Sequence, residues 1–277
     1  MKKLGLEIQP AGSPAELKDL TDRFLAGGFT YFELPAGPSG EAAERFREAV
    51  VLRHPRSAYT VTARLSLEGI ETAEALSARL DRQLKRLGLE ELDYCWLSVP
   101  DGVSLRRAEE LGAFDLLERQ KAAGQVRHLG VAFGGGAETL DGLLQSRPEV
   151  EYVQLAWSAL DWAEERSRAR RCYEAAYRNR RPVISAPLQE GGPFRLPAEA
   201  EAVLRRVRPD LSPAVWALRA AAGLRNVMIA LASPRNLAEL EDAARNLGSF
   251  QTLNETEQTA WRQAVQILWE TKQKEAV

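Results

Sequence analysis

Three short apolar segments end in residues able to do chemistry. Thr30-Tyr31-Phe32-Glu33-Leu34 carries a carboxylate, Thr60-Val61-Thr62-Ala63-Arg64-Leu65 a guanidinium, and Asp93-Tyr94-Cys95-Trp96-Leu97-Ser98 a hydroxyl. A Glu and an Arg delivered by neighbouring strands can serve in two ways. One is a buried ion pair, retained because removing either partner strands the other at a cost of roughly 3–5 kcal/mol. The other is a general base, Glu33, beside a cation that binds a substrate anion. Arginine keeps its proton near neutral pH, so Arg64 can anchor an anion but cannot act as a tunable acid. Ser98 is an ordinary hydroxyl unless a base activates it. The only histidines are His54, in the loop Arg53-His54-Pro55-Arg56, and His128, at the start of a strand-like segment. Neither sits at a strand end, which excludes a Ser-His triad or a histidine-rich metal site there.

The segments that must position these side chains alternate along the whole chain. Strands are expected at Leu4–Ile8, Tyr31–Leu34, Tyr59–Leu65, Tyr94–Val99, His128–Phe133, Tyr152–Ala156, Val183–Ala186 and Val227–Ala232. The first helix starts at Ser13-Pro14-Ala15-Glu16, a Ser cap with Pro at the first helical position and a Glu able to reach back. Gly27-Gly28 ends it. Another covers Glu41 to Val51, and Leu76, Leu80, Leu84 and Leu87 recur at helical spacing before Gly88. Further helices are expected at Phe114–Ala123, Thr139–Gln145, Arg166–Asn179, Ala198–Arg206 and Ser212–Ala222. One more starts at Asn236-Leu237-Ala238-Glu239, and the last at the capping box Asn254-Glu255-Thr256-Glu257. Eight strands alternating with helices read as an α/β fold, a single (β/α)8 TIM barrel over 1–277 with a C-terminal helical extension from about 250. The tail packs across the barrel, or against a partner if Trp261 and Trp269 stay exposed.

Composition narrows the classes. A chain of 277 residues with 45% apolar side chains can bury one large core. The net charge of −2 comes from interspersed charges, so neither a nucleic-acid surface nor an acidic tail is expected. Cys95 and Cys172, the only two cysteines, read as buried thiols. No segment resembles a signal peptide or a membrane span, so a cytoplasmic location is expected.

Active sites of such barrels lie at the carboxyl ends of the strands. Several pieces in order resemble the aldo-keto reductase family: Gly27-Gly28-Phe29-Thr30-Tyr31-Phe32, Gln83-Leu84-Lys85-Arg86-Leu87-Gly88, Gly124-Gln125-Val126-Arg127-His128-Leu129-Gly130, Val153-Gln154-Leu155, Leu160-Asp161-Trp162 and Asn236-Leu237-Ala238-Glu239-Leu240-Glu241-Asp242. The nearest branch is that of bacterial reductases that often carry a C-terminal ferredoxin-like extension. With no cysteine cluster in the chain, no iron–sulfur cluster is expected. The resemblance implies NADPH-dependent carbonyl reduction by an Asp, a Tyr, a Lys and a His, with Tyr as proton donor. Those positions fall on Glu33, Pro38, Arg64 and Ser98, so all four differ. The family's Gly-Thr after the first strand falls on Glu7-Ile8. Its carboxamide-binding Ser or Asn falls on Ala132, its Gln after strand six on Ala156, and a basic position around strand seven on Glu190. Trp157 could partly fill the nicotinamide space.

One cofactor element persists in this resemblance. Ser233-Pro234-Arg235-Asn236 precedes a helix, where Arg235 and free N–H groups suit a phosphate. Asn236 and Glu239 read equally well as a helix cap. Gly134-Gly135-Gly136 is explained by a flexible loop and matches no phosphate motif. Asp101 and Glu190, with Glu7 and Glu33, would make the mouth acidic and suited to a cation. The leading expectation is a binding or regulatory protein without the usual reductase activity, its small-molecule or protein partner unspecified. One alternative is an NADPH oxidoreductase that draws its proton from water or substrate. The other is a redox-independent lyase or isomerase built on Glu33 and Arg64.

Overall fold

The computed structural model describes residues 2–8, 13–35, 40–157, 167–187 and 195–275. The strands are β1 (Leu4–Glu7), β2 (Tyr31–Leu34), β3 (Thr60–Leu65), β4 (Leu92–Val99), β5 (Val126–Phe133), β6 (Tyr152–Trp157), β7 (Val183–Pro187) and β8 (Val227–Ala232). They pair in sequence order, all parallel, and β8 returns to β1, closing the barrel. Every expected strand forms, with ends shifted by no more than two residues.

The helices among the described residues are α1 (Pro14–Ala26), α2 (Glu41–Phe46, continuing as a π-helical turn Arg47–Val51), α3 (Ala73–Leu87), α4 (Gly102–Glu110), α5 (Ala113–Ala122), α6 (Ala137–Ser146), α7 (Arg168–Arg178), α8 (Ala198–Val207), α9 (Pro213–Ala222), α10 (Leu237–Gly248) and α11 (Glu255–Glu275). Local chemistry sets their ends. Ser13 Oγ accepts from Glu16 N while the Glu16 carboxylate takes Ser13 N at 2.7 Å. In α3, Leu76, Leu80, Leu84 and Leu87 are all buried, and Gly88 ends the helix at φ +69°, a left-handed conformation that favours glycine. Among the described residues the apolar pattern misses helix α4 and the short 3₁₀ turn Arg56–Ala58. Helix α4 has little apolar face. It buries only Ala108 and is set instead by its cap, Asp101, which accepts from Ser104 N at 2.7 Å. Asp101 is thus a capping residue.

The barrel interior is filled by bulky side chains made possible by two glycines. Tyr31, Trp96, Ile184, Ile229 and Leu231 form one buried cluster at the waist. A Cβ on Gly130 would lie 2.0 Å from the Trp96 ring, and one on Gly5 within 2.6–2.8 Å of Leu231, Ile229 and Tyr31. Outside the sheet, Phe24, Phe32 and Phe46 pack edge to face beneath α1 and α2. The glycine run after β5 also has a packing reason. A Cβ on Gly134 would stand 2.5 Å from the Pro100 carbonyl oxygen, so close approach, beyond flexibility, accounts for that glycine.

The tail departs from expectation. Helix α11 lies along α8 and α9, on the outer layer, rather than across the barrel. Trp261 is buried and stacks on Trp216 with rings 6.5 Å apart and 2° from parallel, and Trp269 is partly buried. Trp216 and Trp261 belong to a second core beneath α8, α9 and α11. Buried Glu257 locks it. Its carboxylate accepts from Arg219 Nη1 at 2.9 Å and Nη2 at 3.2 Å, from Arg208 Nη1 at 3.0 Å, and from Asn254 N at 3.0 Å.

Two outcomes are expected. Gly130→Ala forces Trp96 out of the waist, and its urea midpoint should fall by more than that of Gly142→Ala, where a Cβ meets nothing within 4 Å. For Glu257, burial pushes the carboxyl up, but bonds from Arg219, Asn254 and Arg208 outweigh it and hold it below the ordinary 4.5. Its stabilising contribution is present above that value and lost as pH falls through the lowered one. Glu257→Gln should cost roughly 3–5 kcal/mol at neutral pH. It should also flatten the acid limb of a stability-versus-pH curve.

Candidate functional site

The carboxyl ends of the strands converge on Glu33. Alternation along β2 turns Phe32 and Leu34 outward into the core under the helices and brings Tyr31 and Glu33 inside the barrel. The Glu33 side chain has 0% exposure. A carboxylate there must be bonded, and three side chains supply the bonds. Arg64 Nη2 donates to Glu33 Oε1 at 3.1 Å, Gln154 Nε2 donates to the same oxygen at 2.5 Å, and the Tyr31 hydroxyl donates to Oε2 at 3.3 Å. Arg64 Nη2 also donates to Gln154 Oε1. The Gln154 amide therefore presents its NH₂ to the anion and its carbonyl to the cation, the only orientation that satisfies both neighbours.

The electrostatics follow from depth. Burial pushes the Glu33 carboxyl above its ordinary 4.5, Arg64 and Gln154 pull it back, and Glu7 beside it pushes it up again. The Tyr31 phenol is driven well above 10, mainly by burial and then by the Glu33 charge, so it stays protonated. Glu7 and Glu33 are register partners on β1 and β2, and Ser233 Oγ donates to Glu7 Oε2.

The structure brings together Glu33 and Arg64 as the expected ion pair. Ser98 lies on the inward face of the neighbouring β4, in register with Ala132, half-buried. Ala132 and Ala156 offer only methyl groups. Pro38, Glu190 and the segment Leu160-Asp161-Trp162 lie outside the described residues, as does the side chain of Trp157. Ser233, Arg235 and Asn236 follow β8. Arg235 Nη2 and Nε bond to Glu239 Oε1 at 2.5 and 3.0 Å, Arg235 N donates to Glu239 Oε2 at 2.9 Å, and Asn236 Oδ1 caps α10 by accepting Glu239 N at 3.0 Å. The histidines serve elsewhere: His54 Nε2 bonds Asp22 at 2.8 Å and His128 Nδ1 bonds Glu151 at 2.9 Å. Both cysteines are buried free thiols.

Gln154 is the residue the sequence reading passed over as a site member, having placed the glutamine position on Ala156. The signal was present: Tyr152, Gln154 and Ala156 share one face of β6, and a Gln flanked by Val153 and Leu155 on a barrel strand must point inward.

A model of the aldo/keto reductase family matches residues 9–266, and the chain belongs to that family. Solved structures agree on the fold. The thermostable aldo-keto reductase Tm1743, in complex with the inhibitor epalrestat, superposes with a TM-score of 0.77 at 16% identity, covering 94% of each chain. Aldo-keto reductase AKR11C1 from Bacillus halodurans, in its holo form, gives 0.70 at 16% identity, covering 96% of this chain and 91% of that one. An aldo-keto reductase from Klebsiella pneumoniae in complex with NADPH gives 0.71 at 15% identity, covering 95% and 91%. No curated protein matches the sequence.

The geometry sets up a double-mutant cycle. Arg64→Met, which strands a carboxylate with no exposed surface, should destabilise the protein by roughly 3–5 kcal/mol, Glu33→Gln, which leaves a partly exposed cation, by less, and the double variant by clearly less than their sum. Additive losses in urea unfolding would contradict direct coupling. Because the folded-state value of Glu33 is raised, its contribution is fully present below the ordinary 4.5 and is lost as pH rises through the raised value. Glu33→Gln should remove that alkaline-side loss.

Proposed function

We propose that this chain is a non-reducing member of the aldo/keto reductase family that keeps the barrel mouth as a small-molecule binding site. The observation that carries the reading is the fully buried Glu33 carboxylate, tied to Arg64, Gln154 and Tyr31. In the family resemblance these positions belong to an Asp–Lys pair that lowers the pKa of a proton-donating Tyr. Here the pair retains its charges but not the function. Arg64 cannot release a proton, the tyrosine position falls on Pro38, and the nearest phenol, Tyr31, is buried and held protonated.

The residues around the cofactor position fit NADPH poorly. A carboxylate, Glu7, stands at the end of β1 and is bonded to Ser233. Glu239 already takes both the guanidinium and the backbone N–H of Arg235, so a phosphate at the start of α10 would have to displace it. The lyase or isomerase reading is disfavoured for a different reason: a general base must reach its substrate, and Glu33 has no exposed surface.

The test is a calorimetric titration with NADPH and NADH, followed by a spectrophotometric screen of aldehydes and ketones. The expected outcome is no carbonyl-dependent NADPH consumption, and Arg235→Ala should change nothing in either assay. Micromolar NADPH binding, weakened by Arg235→Ala and accompanied by turnover, would restore the reductase reading.

A further inference from the structure

The guanidinium of Arg64 is only partly used by the cluster it belongs to. Nη2 serves Glu33 and Gln154, whereas the buried Nε and Nη1 have no hydrogen-bond partner among the described residues. The side chain as a whole is 26% exposed, whereas Nε is an orphaned donor with no exposed surface of its own. On the next strand, one inward position closer to the mouth, the half-buried Ser98 hydroxyl also lacks a partner among the described residues. Beyond Ser98 the inward positions at the ends of β5, β6 and β7 are Ala132, Ala156 and Ala186, all reached by solvent. Arg64, the Ser98 hydroxyl and three alanine methyl groups therefore share the inner face at the carboxyl end of the barrel.

We propose that Arg64 and Ser98 form a subsite for a short-chain carboxylate, its acyl tail lying over Ala132, Ala156 and Ala186, and that Glu33 takes up a proton as the subsite fills. The proposal rests on the non-reducing reading of the mouth. A guanidinium matches a planar carboxylate through paired donors, and Ser98 adds a third. The alanine wall has no polar atom to offer a second anionic group, and it favours an apolar tail over a bare phosphate.

Proton uptake follows from charge. Arg64 is the only cation bonded to Glu33 among the described residues, and a second anion on the same guanidinium weakens its hold on the first. Among the described residues the other titratable groups facing Glu33 are Glu7 on β1 and Tyr31 on β2; neither supplies positive charge, and the inward residues toward the carboxyl ends from β4 round to the residue after β8 include Ser98, Ala132, Gln154, Ala186 and Ser233. A carboxylate with no exposed surface responds to a lost counter-charge by binding a proton. Linkage is reciprocal, so lowering the pH tightens the carboxylate.

The experiment is isothermal titration of the full chain with sodium butyrate at fixed ionic strength, in two buffers of different ionisation enthalpy, with inorganic phosphate as a control. Butyrate should bind with net proton uptake, and affinity should rise by up to about tenfold per pH unit as pH falls. Ala132→Leu and Ser98→Val, which leave the ion pair intact, should each weaken binding roughly tenfold without lowering the thermal midpoint. Glu33→Gln should bind butyrate with no buffer dependence. Absence of butyrate heat at high millimolar concentration overturns the subsite, as does binding indifferent to Ala132→Leu and Ser98→Val. Phosphate binding as tightly as butyrate overturns the acyl assignment, and buffer-independent heats in the unmodified protein overturn the proton uptake. Carbonyl-dependent NADPH consumption in the same preparation would remove the non-reducing reading while leaving the butyrate result to stand by itself.

Discussion

A carboxylate with no contact with water must be bonded on every side that water would have served, and that demand organises the mouth of this barrel. Glu33 comes from β2, its cation from β3, its amide donor from β6 on the far side of the ring, and its phenol from Tyr31, the preceding inward position on β2 itself. One acidic side chain thereby ties strands separated by 121 residues in sequence. The Gln154 amide, donating to Glu33 and accepting from Arg64, completes a closed triangle in which each member satisfies the other two. Such a triangle tolerates no single loss. Without Gln154 the carboxylate would lose its shortest bond, and without Arg64 it would be an unpaired buried charge.

The triangle stands on a dry floor. Trp96 and Tyr31 occupy the waist because their register partners on the neighbouring strands, Gly130 and Gly5, leave room for them. Bulky filling below keeps water from reaching Glu33 through the barrel, which is why burial dominates its titration. Two glycines on β1 and β5 therefore contribute to the chemistry of a carboxylate on β2, through packing alone. The second core under α8, α9 and α11 is independent of this arrangement. Its own buried carboxylate, Glu257, faces two arginines, and its titration moves in the opposite direction.

Most of the fold was legible because its signals are local. Strand alternation, the Ser13 and Asn254 caps and the leucine stripe of α3 each specify an element without reference to the rest of the chain. The family also followed from sequence, through the order of short motifs. What escaped depends on partners distant in sequence. Helix α4 presents almost no apolar face to detect. Trp261 looks like a surface anchor until Trp216 is known to lie against it. The role of Gln154 needs the closed barrel, since only closure brings β6 opposite β2. The Glu33–Arg64 pair was readable because its strands are neighbours, whereas the third member of the cluster was not.

In the family resemblance Glu33 and Arg64 stand where an Asp and a Lys are expected, an exchange that keeps the charges while changing what they can do. A lysine ammonium is a point charge whose proton affinity responds to burial; a guanidinium keeps its proton and spreads its donors over a plane. In the family pattern the pair exists to make a third group acidic. The resemblance puts the tyrosine position on Pro38, and on the function we propose an adjustable cation then has nothing left to adjust, so a fixed one with a wider set of donors can take its place. The longer glutamate carries its carboxyl further from the backbone and into reach of both Arg64 and Gln154. On the function we propose, the site still concentrates charge at the end of the barrel but holds it for recognition. In the carboxylate subsite we propose, the proton that moves belongs to Glu33, and the group that moves it is the ligand competing for Arg64.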